Sequence, residues 1–133
     1  MHKILLAYDG GEPARRALDQ TVELAKLLGA EVGVISVVPV HPGRAPIDPW
    51  DDRTVHAEEL LEARRLLREV GIEATLIEPG GDPARTIERI ADERGYDTIV
   101  IGSRGLGTVA RALQGSVSEH VAAHAHATVV VAR

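Results

Sequence analysis

The chain is 133 residues long and carries 15 basic against 20 acidic side chains, a formal net charge of −5 with histidine neutral. The absence of cysteine excludes thiol catalysis, iron–sulfur clusters and thiolate zinc sites, and a complement of no Phe, one Trp and two Tyr leaves almost nothing for a base-stacking platform. One domain over residues 1–133 is expected, and 44% apolar residues suffice to close a core that buries about two-thirds of the unfolded surface.

The negative balance also argues against nucleic acid as a partner. No stretch approaches the roughly 20 apolar residues that a membrane span requires. Met1-His2-Lys3 runs into only five apolar residues before Asp9, too few for a signal peptide, so a soluble cytoplasmic protein without a membrane partner is expected.

In chain order, Ile4 to Tyr8 is a continuous apolar run delivered into Asp9-Gly10-Gly11, the pattern of a strand buried on both faces and followed by a glycine turn. Pro13 suits the first turn of the helix that follows, Ala17, Leu18, Thr21, Leu24, Ala25 and Leu28 recur at three-to-four spacing, and Gly29 is placed to cap it. Val32 to Val38 reads as a second strand. Prolines and a glycine between Pro39 and Asp51 break any regular pattern, which makes this the longest irregular connection, with Trp50 as its one aromatic.

Helical spacing returns from Asp52 to Val70, with Leu60, Ala63, Leu67 and Val70 on one stripe and Gly71 as the stop. The Arg64-Arg65-Arg68 cluster alternates with Glu58, Glu59, Glu62 and Glu69 and is expected to form a solvated face. Ile72 to Glu78 is a third strand. Asp82-Pro83 supplies an N-cap and a proline at the first helical position, Ile87, Ile90 and Ala91 give a buried stripe, and Gly95 ends the helix. Thr98 to Ile101 is a fourth strand, Ser116 to Ala125 a short last helix, and Thr128 to Ala132 a fifth strand.

Strands that alternate with helices, each too apolar to face water, imply a parallel sheet covered on both sides. The expected architecture is a single doubly wound α/β domain with five principal strands. Function in such folds sits in loops at the carboxyl ends of the strands, where the winding reverses.

After the fourth strand the chain reads Gly102-Ser103-Arg104-Gly105-Leu106-Gly107-Thr108, and Gly115-Ser116-Val117-Ser118 follows near the last helix. Glycine lets backbone N–H groups approach an anion, and a helix N-terminus adds unpaired donors with partial positive charge. Ser116, Ser118 and Arg104 can add hydroxyl and guanidinium donors, a set suited to a polyphosphate. The P-loop is absent, because neither lysine, Lys3 or Lys26, follows a glycine. The dinucleotide fingerprint is absent too, since Gly102, Gly105 and Gly107 have the reverse spacing after the wrong strand.

Gly102-x2-Gly105-x9-Gly115-Ser116 resembles the nucleotide signature G-x2-G-x9-G-[S/T] of the universal stress protein family, with every fixed position and both spacings met. The resemblance runs over essentially the whole chain, through Asp9-Gly10 with Glu12-Pro13, the Gly80-Asp82-Pro83 turn and Ile101-Gly102-Ser103-Arg104-Gly105. One departure is Gly11, where the family usually carries serine.

The resemblance implies a Rossmann-like fold with strand order 3-2-1-4-5, so that Asp9 and Gly102 face one crevice. It implies ATP as ligand, with Mg2+, and a homodimer formed through the last strand, residues 127–133. The residues it implies for the site are Asp9, led into by Ala7 and Tyr8, near ribose and phosphates; Val37 at the adenine edge; and Ile101, Gly102, Ser103, Arg104 and Gly105 with Gly115, Ser116, Val117 and Ser118 at the phosphates. The apolar strand Thr128 to Ala132, which the implied order puts at a sheet edge, invites pairing with a second chain.

Two other readings stand beside a binding module that works by occupancy. A slow Mg-dependent ATPase would need a general base, and Asp9 is the one acid the argument puts near the phosphates. A dimeric scaffold that binds no nucleotide would not need the glycine signature. His120 and His124 share a helix face, with His126 beyond, but no metal site is expected, because the glutamate of the zinc-protease helix is missing and Glu119 is the nearest acid.

Overall fold

The computed structural model describes residues 1–39, 53–103 and 113–133, with residues 113–116 described by their backbone alone. In chain order the elements are β1 (Lys3–Ala7), α1 (Glu12–Leu28), β2 (Glu31–Ile35), β3 (Val38–Pro39), α2 (Arg53–Glu69), β4 (Ala74–Ile77), β5 (Gly80–Gly81), α3 (Pro83–Arg94), β6 (Thr98–Gly102), α4 (Leu113–His124) and β7 (Thr128–Ala132). The expected loop up to Asp51 with its Trp50, like Arg104, Gly105, Gly107 and Thr108, lies outside the described residues.

Five strands form one parallel sheet in the order β4-β2-β1-β6-β7. This is the order 3-2-1-4-5 of the five principal strands. Side chains alternate across it. Ile4, Leu6 and Tyr8 join Val32, Val34 and Val100 under α1 and α2, through Ala17, Leu18, Leu60 and Leu67. Leu5, Ile35, Ile99 and Ile101 turn to the other face, under Ile87, Ile90 and Ala91 of α3 and Val121 of α4. Each such side chain taken fully out of water contributes about 1.5–3 kcal/mol, which is why these strands are continuous apolar runs.

Helix ends follow local chemistry. Asp82 caps α3 by accepting from the Arg85 N–H at 3.1 Å, Pro83 opens the helix, and Gly95 closes it at φ 74°. Gly29 closes α1 at φ 65°, and Gly71 follows α2 at φ 83°. Gly11 is the N-cap residue of α1 and has no side chain to cap with.

Three expectations are corrected. The second strand is not continuous to Val38. It ends at Ile35, and Val38–Pro39 pairs with Gly80–Gly81 in a separate two-stranded parallel ledge, held by the Val38 N–H to the Pro79 carbonyl at 2.8 Å. Gly81, at φ 143°, is what lets the chain run alongside there. The last helix begins at Leu113 and not at Ser116, so Gly115 and Ser116 lie in its first turn; Leu113 and Gln114 are good helix formers and extend it backwards. On α2, Arg65 pairs with Glu69 at 2.8 Å on the solvated face, but Glu59 is buried and Glu62 turns inward to Tyr8.

β7 is a terminal strand of the sheet with Val129 and Val130 on opposite cores. Among the described residues no helix is long and apolar enough to cross a membrane.

Candidate functional site

The register of the sheet builds a cleft. Ala7 stands opposite both Ile35 and Ile101, so β1, β2 and β6 end level with one another. Connections from β1 and β2 pass under α1 and α2, those to β6 and β7 under α3 and α4, and the winding therefore reverses between β1 and β6. A crevice at the carboxyl edge is the consequence of that reversal.

Three strand ends line it: Ala7, Tyr8 and Asp9 at the end of β1, Ile35, Ser36 and Val37 at the end of β2, and Ile101 and Gly102 at β6. Helix starts complete it, with Pro13 and Ala14 of α1, Pro83 and Ile87 of α3, and Val117 of α4. One side is an apolar slot between Ile35, Val37, Ile87 and Val117. The other side carries Asp9, the one acidic residue among the described residues lining the cleft.

Asp9 is 8% exposed, and its Oδ1 accepts the Gly11 N–H at 2.9 Å. It therefore shapes its own turn as well as facing the cleft. Gly10 sits at φ 80°, against the carboxylate of Glu59, where an added Cβ would stand 3.1 Å from Glu59 Oε2. Tyr8 is buried, and its hydroxyl donates to Glu62 Oε1 at 2.5 Å. Burial first, and then that bond to Glu62, push the Tyr8 phenol well above its ordinary value of 10.0.

Of the residues singled out in the sequence, Ala7, Tyr8, Asp9, Val37, Ile101, Gly102 and Val117 come together here. Ser103 continues beyond β6, its N–H donating to the Ala132 carbonyl at 2.7 Å, and Ser118 is buried within α4; neither is among the described lining. Gly115 and Ser116 lie in the first turn of α4, while Arg104 and Gly105 fall outside the described residues.

The cleft also includes Pro13, Ala14, Ser36, Pro83 and Ile87, which the sequence reading did not assign to it. Ser36 had a visible signal, as a hydroxyl at the end of an apolar strand. Behind it lies His56 of α2, completely buried, with Nδ1 2.5 Å from Ser36 Oγ and 3.7 Å from Glu59 Oε1. Both partners meet the same ring nitrogen, so this is not the relay of a hydrolase, in which serine and acid take opposite nitrogens. The group instead ties α2 to Ser36 of the cleft and, through Glu59, to the turn at Gly10. His56 had no signal in the sequence, because its helical position alone does not say which face is inward.

Comparison with known proteins agrees with this architecture. The family model described as "Universal stress protein family" matches residues 1–133. The universal stress protein YxiE of Bacillus subtilis (strain 168) is 30% identical over 151 residues, covering 99% of both chains. Among solved structures, the universal stress protein from Archaeoglobus fulgidus superposes with a TM-score of 0.78 at 29% identity, covering 100% of this chain and 99% of that one. A universal stress protein from Archaeoglobus fulgidus solved in complex with dAMP gives a TM-score of 0.71 at 26% identity, covering 100% and 98%. On the match across its full length, the chain belongs to the universal stress protein family.

Proposed function

We propose that the protein binds an adenine nucleotide, ATP with Mg2+, in the cleft between β1 and β6, and acts through occupancy as a dimeric stress-response module. The observation that carries this reading is the juxtaposition of Asp9 with the apolar slot of Ile35, Val37, Ile87 and Val117, at the edge from which the glycine signature departs. The slot suits a flat apolar base. Asp9 is the carboxylate suited to a ribose hydroxyl or to the magnesium that ATP brings. Gly115 and Ser116 in the first turn of α4, with Arg104 and Gly105 before it, are the groups we assign to the phosphates. A relative of 26% identity solved with dAMP supports the adenine part of the assignment.

Hydrolysis is not the central activity in this account. Asp9 already accepts from Gly11, and a second acid to activate water is missing from the described lining. The dimer forms through β7, whose outer edge has no strand partner among the described residues and whose Val131 is 39% exposed. The same reading puts the protein in the cytoplasm, where ATP and magnesium are abundant.

The test is a thermal-shift panel with Mg-ATP, ADP, AMP and GTP, run beside light scattering. Stabilisation by the adenine nucleotides above GTP, on a species of twice the chain mass, is expected. A dimer that responds to none of the four would favour the scaffold reading, and a monomer would overturn the dimer assigned to β7.

A further inference from the structure

His120 and His124 lie one turn apart on α4, with rings stacked at a centroid distance of 4.2 Å and an interplanar angle of 28°. Each has its Nδ1 engaged. His120 Nδ1 is 2.9 Å from Glu88 Oε2 on α3, and His124 Nδ1 is 2.9 Å from the carbonyl oxygen of His120. A carbonyl or a carboxylate can only accept, so both Nδ1 atoms carry the proton and donate it. In the neutral rings the lone pair therefore sits on Nε2 in both cases. The His120 side chain is 38% exposed and His124 is exposed, so the pair is open to solvent.

From this geometry we propose that His120 and His124 form a two-nitrogen chelating site for a borderline divalent transition metal of the zinc class, independent of the nucleotide cleft. Two imidazoles at i and i+4 on one helix face are a sound bidentate arrangement. A shared metal at about 2.1 Å from each nitrogen needs the two Nε2 atoms about 3 Å apart with the metal in the plane of both rings, so on binding the rings leave the observed stack, by side-chain rotation on one helix face. The Glu88–His120 bond is the carboxylate–histidine pairing that fixes the ring orientation of a metal ligand. Glu88 is a positioning residue in this scheme. The two imidazoles supply two ligands, and water would complete the coordination. Imidazole donors favour zinc, nickel or copper over magnesium or calcium, which separates this site from any magnesium carried by a nucleotide. His126 does not join the pair; its Nδ1 faces Asp92 Oδ2 at 3.1 Å.

Calorimetric titration of the untagged full chain with zinc chloride tests the site. One zinc per chain at neutral pH is expected, weakened at least about tenfold by His120→Ala and by His124→Ala, and to a smaller degree by Glu88→Gln. Binding should survive His2→Ala and His126→Ala. Chelation within one helix should also raise the melting temperature of the wild type but not of His124→Ala. His124 is exposed, so that variant folds, and circular dichroism verifies it. Zinc binding that persists in both histidine variants, or that moves with His2→Ala, overturns the proposal. So does a wild type that shows no saturation in the millimolar range.

Discussion

Gly102 at the end of β6 lies so close to Pro13 of α1 that a Cβ on it would stand 2.5 Å from the Pro13 carbonyl carbon and 2.6 Å from its oxygen. Glycine at this position is thus required by the docking of α1 against the sheet, before any ligand is considered. The atoms in the way are backbone, which cannot rotate aside.

Gly102→Ala is accordingly expected to destabilise the protein by about 1–3 kcal/mol, the usual cost of overpacking a close contact. Urea denaturation measures it. Stability unchanged within about 0.5 kcal/mol would mean that α1 is not held against β6 in this way.

Gly33 and Tyr96 make a second such pair, where a Cβ on Gly33 would stand 2.1 Å from the Tyr96 hydroxyl oxygen. Here the obstacle is a side chain, so the effect should be rescuable. Gly33→Ala is predicted to cost about 1–3 kcal/mol alone and markedly less in the background of Tyr96→Ala. Strict additivity of the two changes would contradict the contact.

The chain's two tyrosines are both buried, and burial is the first cause raising each phenol, helped at Tyr8 by Glu62 and opposed at Tyr96 by Arg94. A phenol whose folded value is raised contributes stability below its unfolded value that is lost as pH climbs through the folded one. At pH 10.0, where a free tyrosine is half ionised, ultraviolet difference spectra should show well under half of the phenolate expected for two exposed residues. Full ionisation should appear only with alkaline unfolding. Half-ionisation at that pH with the fold intact would refute the burial.

Asp97 gives the opposite sign. Partial burial raises its carboxyl, but the backbone N–H groups of His2 and Lys3 and the Thr98 hydroxyl outweigh that, holding it below its ordinary 3.8. His2 N–H donates to Oδ2 at 2.7 Å and the Thr98 hydroxyl to Oδ1 at 2.8 Å, so Asp97 fastens the N-terminus to the start of β6. A lowered folded value means a contribution present above pH 3.8 and lost as pH falls through the folded value. Asp97→Asn should therefore lower stability at neutral pH and flatten the loss of stability below about pH 4. A parallel acid profile in the variant would contradict the assignment.

Local chemistry made much of this fold readable in the sequence. Asp82-Pro83 and Gly95 bound α3 because cap, proline and left-handed glycine act within one turn, and β7 is readable from Thr128 to Ala132 because no competing pattern overlaps it. What stayed hidden depends on distant partners. Val38 leaves β2 because Gly80 is available about 40 positions later, and Glu59 is buried because Gly10 of another loop lies over it. The cleft shows the same division. Asp9 and Gly102 announce themselves by their turns, whereas Pro13 and Pro83 read as helix starters and reveal a place in the site only when β1, β2 and β6 end level.

The central claim is that the cleft between β1 and β6 holds ATP with its phosphates at the start of α4. Calorimetric titration of Mg-ATP into the wild type and into Gly115→Val tests it most directly, since the branched side chain should block the phosphates while leaving the sheet untouched. Saturable binding by the wild type, lost in a variant whose circular dichroism is unchanged, is the predicted result. A wild type that takes up no nucleotide in the millimolar range, or a variant that binds ATP as well as the wild type, would contradict it.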